Sequence, residues 1–426
     1  MNGFEELQAT RGPCALLEST SSPGAGSRLT LLARDPQAVA VSDATGTRVL
    51  SAAGSRRLRA GPLETLRLLL AETRGGRWPE EGGVVGALAY DFARPGRPAA
   101  DTPLFLALQV DRLTVLEGET VLAAAPRLEE RLADEPPPPR LPLPDPPPLP
   151  IRLARWSSLS RDEYHRRVHR LQERIAAGDI YQANLSHRFM VDLGGRSPRS
   201  IYQRLRSINP SPFAALLELP DVTLVGCSPE RLVRLTGTEV ETRPIAGTRP
   251  RGENPEEDRR LAEDLLMNGK ERAEHLMLVD LERNDLGRVC AYGSVRVDEF
   301  MVVERYSHVS HIVSNIRGTL APGRETLDLV QAVFPGGTVT GVPKVRCMAI
   351  IDELEPVRRG PYTGSLGYVS PNGDLDLNII IRTLVITDGR ASLHVGAGIV
   401  ADSDPAREYQ ETLFKAEALL KALRES

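Results

Sequence analysis

Short apolar runs, broken by glycine, serine, aspartate and proline, set the rhythm of residues 14 to 125: CALLES, RLTLLA, AVAVSD, VVGALAY, LFLALQV, LTVLEG and TVLAAA. Runs of this length and punctuation predict strands of an antiparallel sheet, interrupted by one helix-like segment from Leu63 to Glu72. The rhythm stops at Glu135–Pro150, EPPPPRLPLPDPPPLP, where ten of sixteen positions are proline. With so few backbone donors this stretch predicts an extended polyproline-type connector. It divides an N-terminal β-rich portion (1–134) from a second portion (151–426).

From Ser160 the apolar period lengthens. Ser160 and Glu163 carry a capping-box signature, and the helix they open can close at Gly178, with a strand to follow. Helices are then predicted over Pro198–Ser207, Asn254–Asp285, Thr326–Phe334, Pro343–Leu354 and Pro405–Arg424. Between them FAALLEL, TLVGC, VRVDEF, SHIVSNIRG, GSLGYVS, NIIIRTLVI and LHVGAGIV predict strands. No repeat of solenoid period is present. The fold class is therefore α+β, with helices packed over a large, mostly antiparallel sheet.

One stretch departs from simple amphipathic logic. In KERAEHLMLVDLERNDLGR, Lys270–Arg288, helical spacing sets Glu274 on one face with Met277, Leu278 and Leu281. A carboxylate on an apolar stripe is costly unless a basic partner, a hydrogen-bond network or a metal ion compensates it.

Composition narrows the function classes. Lys plus Arg is 53 against 57 acids, a net charge of -4, and aromatics are 4%, which argues against a basic nucleic-acid surface or base-stacking platforms. The four cysteines, Cys14, Cys227, Cys290 and Cys347, form no CxxC pair, as expected in a reduced, cytoplasmic protein. The first residues carry acids where a signal peptide has bases, and no apolar run reaches the ~20 residues of a membrane span. Two glycine motifs mislead. Gly396–Ala401 meets a dinucleotide fingerprint, but Asp402, Ser403, Asp404 and Pro405 follow where a helix should open, so it reads as a strand whose bare backbone can approach a ligand. Pro335–Lys344 has Val342 where a phosphate loop needs lysine after Gly341. His308 and His311 have helical metal spacing, but strand alternation sends their rings to opposite faces.

Eight blocks in order over about residues 160 to 420 closely resemble the chorismate-binding enzymes: GDIYQANLSHRF (178–189), CSPERL (227–232), ETRPIAGTRPRG (241–252), the Lys270–Arg288 helix, VERYSHVSHIVSNIRG (303–318), FPGGTVTGVPKVRCMAIIDELEPVRRGPYTGSLGY (334–368), DLNIIIRT (376–383) and GAGIVADSDPAREYQETLFK (396–415). The resemblance implies the two-sheet chorismate-utilising fold. It further implies that Glu274 and Glu411 ligate one Mg²⁺, with Glu271 and Glu408 supporting it through water or outer contacts. Glu230 matches the general acid, His311 a histidine of later pyruvate elimination, and Gln182 the position that selects the nucleophile. Gly247, Thr248, Tyr362, Arg382, Gly396, Ala397, Gly398 and Lys415 match substrate-binding positions.

Family members that add water to chorismate carry a lysine where this chain has Gln182, which implies ammonia as nucleophile and a glutamine amidotransferase partner to supply it. Ala246 matches anthranilate synthases, whereas YQANLSHRF, FPGGTVTG and DLNIIIRT look more like aminodeoxychorismate synthase component I. The expected product is 4-amino-4-deoxychorismate, on the route to 4-aminobenzoate and folate. Anthranilate, in the tryptophan pathway, is the alternative, and an inactive chorismate-binding regulatory subunit is the alternative outside enzymes.

Overall fold

Consecutive residues of Phe213–Glu218 go to different layers: Leu216 packs with one buried cluster and Leu217 with another, the alternation of a strand buried on both faces. The same alternation runs through Phe105–Val110, where Leu106 and Leu108 face one cluster and Ala107 the next. The computed structural model describes residues 7–8, 10, 12–19, 29–73, 82–93, 103–110, 113–117, 120–123, 157–305 and 309–425. The proline-rich connector and His308 lie outside them.

The described strands pair antiparallel in two sheets. The ten-stranded sheet runs Gly341–Val342, Gln182–Asp192, Arg390–Ile399, Thr383–Thr387, Thr223–Ser228, Phe213–Glu218, Cys14–Glu18, Leu29–Ala33, Thr114–Glu117, Thr120–Ala123. The twelve-stranded sheet runs Ile245–Pro250, Val309–Thr319, Glu239–Thr242, Arg231–Thr236, Leu375–Asn378, Ser365–Val369, Gly83–Leu88, Phe105–Val110, Ala38–Asp43, Gly46–Ser51, Gly54–Leu58, with Arg296–Arg305 also on Val309–Thr319. The N-terminal strands thus continue both sheets, Cys14 opposite Glu218 in one and Leu88 opposite Ser365 in the other.

Ala15, Leu217 and Leu224 of the first sheet and Leu106, Leu108 and Leu366 of the second share one buried cluster, the filling of the sandwich. Helices cover the outer faces. Pro198–Ile208 and Pro405–Glu425 bring Ile201, Leu205, Leu419 and Leu423 onto the ten-stranded sheet, and Pro62–Thr73 and Thr326–Val333 bring Leu66, Leu69 and Val330 onto the other. The Arg161–Ala176 helix opens on the predicted capping box, Ser160 accepting from the Glu163 N–H and Glu163 from the Ser160 N–H.

Three expectations are corrected. NIIIRTLVI is not one strand: Leu375–Asn378 belongs to one sheet and Thr383–Thr387 to the other, and Arg382, at φ 50, sits in the crossover. The Asn254–Asp285 helix is two, Pro255–Met267 and Gly269–Gly287, because Asn268 is extended (ψ 111). The hairpin Gly46–Ser51/Gly54–Leu58 has no predicted counterpart, since its outer strand GSRRL is almost wholly exposed and carries no apolar stripe.

Candidate active site

At one end of the sandwich the sheet is stripped of side chains. The strand Arg390–Ile399 lies against Gln182–Asp192 with Gly398 opposite Asn184 and Gly396 opposite Ser186. Two residues apart, the glycines share a face. A Cβ on Gly398 would lie 2.5 Å from Gln182 Nε2 and 3.4 Å from Glu274 Oε1; one on Gly396 would lie 2.5 Å from Asn184 Oδ1 and 2.9 Å from the Tyr362 hydroxyl. Glycine is needed at both positions because polar groups from three other segments occupy the space above them. Ala397, between them, turns its methyl to the opposite apolar cluster with Leu159 and Tyr164, so it can offer a ligand only backbone.

The Gly269–Gly287 helix closes this end. Asn268 caps it, its Oδ1 accepting the Glu271 N–H at 3.1 Å. One turn apart on the helix, Glu271 and Glu274 reach different sheets. Glu271 Oε2 lies 3.0 Å from a Cβ on Gly247, which is in the left-handed region (φ +63), and Oε1 pairs with Arg249 at 3.2 Å. Glu274 Oε1 accepts from Gln182 Nε2 at 2.6 Å. A hydrogen-bonded amide helps to compensate this carboxylate on its apolar stripe.

From the Pro405–Glu425 helix, Lys415 Nζ reaches both Glu411 Oε1 (2.7 Å) and the Gly396 carbonyl (2.9 Å). Glu408 instead accepts from Ser403 Oγ at 2.8 Å. Glu274 thus lies near Gly398, and Lys415, paired with Glu411, holds the backbone of Gly396 two residues away. All-oxygen donors with two carboxylates suit a hard divalent cation that keeps water and substrate in its shell. Among the described residues no group of three or more His, Cys, Asp or Glu side chains could hold a metal.

Four further predicted residues converge from the crossover and the facing sheet. Glu230 is buried, and burial pushes its carboxyl up to about 7, moderated by Thr338, the Ile245 backbone and the charges of Arg382 and Lys415. Burial holds His311 down at about 4, so the ring is neutral at pH 7. Its Nδ1 is 3.0 Å from the Gly247 carbonyl, a pure acceptor, so Nδ1 carries the hydrogen and Nε2 is the acceptor nitrogen. Arg382 makes no side-chain hydrogen bond or ion pair among the described residues, and burial lowers its pKa. Tyr362 is stacked on His394 (centroids 5.2 Å apart, 14° between planes). Thr248 lies opposite His311 in the ladder; its side chain is outside the described set.

The profile of the family described as chorismate binding enzyme matches residues 13–421. The chain belongs to this family. Aminodeoxychorismate synthase component 1 of Bacillus subtilis is 42% identical over 99% of the chain and 93% of that protein. An anthranilate synthase component I-like protein of Synechocystis is 58% identical over 62% of the chain, but the match spans only 54% of that relative's length. Among solved structures, anthranilate synthase component I of Streptococcus pneumoniae superposes with a TM-score of 0.80 at 32% identity, covering 94% of this chain and 93% of that one. Among the described residues no helix is long and apolar enough to cross a membrane.

This chorismate-binding enzyme also buries a carboxyl outside the site described above, Glu282. Glu282 Oε2 lies 2.6 Å from Thr242 Oγ1, which is 2.9 Å from the Leu232 carbonyl. The Thr242 hydroxyl has one proton for two acceptors, the Leu232 carbonyl and Glu282 Oε2, so it cannot satisfy both at once. Burial pushes Glu282 to about 8, with Glu230 and Asp285 raising it further and Thr242 and Lys344 opposing. A carboxyl raised in the folded state contributes fully below its unfolded value near 4.5 and loses that contribution as pH rises through about 8. In urea unfolding across pH 5 to 8, wild type is therefore expected to lose stability against Glu282→Gln progressively as pH rises. Parallel pH profiles would show Glu282 ionised in the fold.

Proposed function

We propose that the chain aminates chorismate with ammonia delivered by a glutamine amidotransferase subunit, forming 4-amino-4-deoxychorismate. The observation that carries this reading is Gln182. Its Nε2 is committed to Glu274 at 2.6 Å, and an amide at neutral pH takes no proton, so nothing at this position can activate water. Ammonia needs no such base. Family membership supplies the substrate class, and the Bacillus subtilis relative, 42% identical over 99% of the chain, is named for the amination proposed.

The residues divide the work by chemistry. Glu230, protonated in part at pH 7, gives its proton to the departing C4 hydroxyl. Arg382 and the Tyr362 hydroxyl grip the enolpyruvyl carboxylate, the arginine by its planar fork. The bare backbone at Gly396 and Gly398 lets the ring lie against the sheet. Gly247 and Thr248 contribute backbone donors, and Lys415 offsets the ring carboxylate. Glu274 and Glu411 hold Mg²⁺, with Glu271 and Glu408 as outer support; bound there, the ion supplies charge neutralisation at the ring carboxylate.

One observation favours anthranilate instead. Ala246 is 8% exposed and bears no nucleophile, so no covalent intermediate can form on it, and direct attack at C2 is left open. After such an attack His311 Nε2 is the acceptor for the proton lost with pyruvate. Incubation with chorismate, Mg²⁺ and ammonium, with and without added aminodeoxychorismate lyase, separates the two. The expected product gives 4-aminobenzoate only when lyase is present. Fluorescent anthranilate appearing without lyase replaces the first reading by the second, and no consumption of chorismate ends both.

A further inference from the structure

A buried polar side chain without a partner needs something to satisfy it when the molecule works. Asn184 is 8% exposed, its Oδ1 is buried, and its carboxamide makes no hydrogen bond among the described residues. Its backbone, by contrast, is engaged on both sides: the N–H donates to the Thr340 carbonyl at 2.8 Å and the carbonyl accepts from Arg359 Nη2 at 2.7 Å. Arg359, 1% exposed and paired with Glu355 at 2.7 Å, also lies over the Tyr362 ring with its guanidinium carbon 5.7 Å from the centroid. One buried arginine therefore fixes both Asn184 and Tyr362.

Strand alternation puts Asn184 on the same face as Gln182, about 7 Å further along. The point that a Gly396 side chain would fill lies 2.5 Å from Asn184 Oδ1, 2.9 Å from the Tyr362 hydroxyl and 2.9 Å from the Leu185 carbonyl. The Tyr362 hydroxyl, too, has no hydrogen bond among the described residues. Two unpartnered polar groups thus converge on a space that glycine keeps open. Lys415 binds the Gly396 carbonyl at 2.9 Å, and the Arg382 guanidinium is close enough to Glu230 and His311 for both to feel its charge. No hydrogen bond holds the Asn184 carboxamide, so a half-turn about its Cβ–Cγ bond brings Nδ2 to the point that Oδ1 occupies, and a carboxamide N–H with a phenol O–H is then a donor pair for one carboxylate.

We propose that Asn184 is a substrate-binding residue, its carboxamide N–H donating to the enolpyruvyl carboxylate beside the Tyr362 hydroxyl. This rests on chorismate being the substrate. With Gln182 at one end and Tyr362 at the other, Asn184 spans the middle of the floor and sets how far the substrate can slide along the strand. A hydrogen bond to a charged group made equally in ground and transition states moves KM and leaves kcat alone.

The test is steady-state turnover of chorismate with Mg²⁺ and ammonium by wild type, Asn184→Ala and Asn184→Asp, with thermal unfolding of each. Asn184→Ala is expected to raise KM about tenfold or more with kcat within about twofold. Asn184→Asp keeps the size of the side chain, so it separates packing from binding. It sets acid against carboxylate and should raise KM further, increasingly so as pH rises. Unchanged KM in both variants, with only a lowered Tm, overturns the assignment and leaves Asn184 satisfied by water alone. No turnover by wild type overturns the function proposed above together with this one, whereas normal wild-type turnover with unchanged KM in the variants removes only the role of Asn184.

Discussion

Glu230→Gln is expected to lower kcat for chorismate turnover by about 10²–10⁴-fold while KM stays within a few-fold. Glutamine has the shape of a protonated glutamate, so the buried pocket keeps its packing, but it has no proton to release to a leaving hydroxyl. Glu230 is 6% exposed, and its Oε1 has no hydrogen-bond partner among the described residues. Desolvation disfavours the carboxylate and moves the carboxyl to about 7. The acid form is the working form, so kcat in wild type should fall as pH rises through about 7, and Glu230→Gln should show its residual rate without that limb. A variant with wild-type kcat, or one that keeps the limb, removes Glu230 from the proton transfer.

Glu274→Ala is expected to abolish Mg²⁺-dependent turnover without unfolding the chain. Glu274 is half-buried and accepts a 2.6 Å hydrogen bond from Gln182. Losing that acceptor costs about 1–3 kcal/mol, a shift of a few degrees in Tm for a protein of this size. The loss of function should be far larger, since one of two proposed carboxylate ligands disappears and Lys415 already occupies the other, Glu411. Titration of Mg²⁺ in the presence of chorismate gives a readout independent of turnover: saturable binding in wild type and none in the variant. Wild-type activity in Glu274→Ala at saturating chorismate and ordinary Mg²⁺ would refute the metal assignment.

Local chemistry made part of this protein legible without coordinates. The capping box at Ser160 and Glu163 names its own helix, and apolar alternation names strands such as Phe105–Val110, because both signals lie within a few residues of one another. Signals that depend on a distant partner are not written locally. The run NIIIRTLVI is uniformly β-prone, and only the need to pass from one sheet to the other breaks it at Arg382. GSRRL has no apolar face because it ends a sheet rather than filling one. In the site, Glu274 stood out by its clash with an apolar stripe, but the amide that relieves it comes from 92 residues away. Asn184 and Glu282 gave no such warning. An asparagine in a strand and a glutamate in a helix are ordinary until tertiary packing buries them.

The place of the strand Arg390–Ile399 has a consequence in time as well as in space. It lies inside the ten-stranded sheet, between Gln182–Asp192 and Thr383–Thr387, yet it is the last described strand to leave a ribosome. Until residue 399 emerges, the Gln182 strand has an open edge, and the sheet can neither close nor bury that edge. The glycine floor is therefore completed only after the other described strands have been made. A nascent chain of this protein has most of its sandwich before it has any means of holding a substrate.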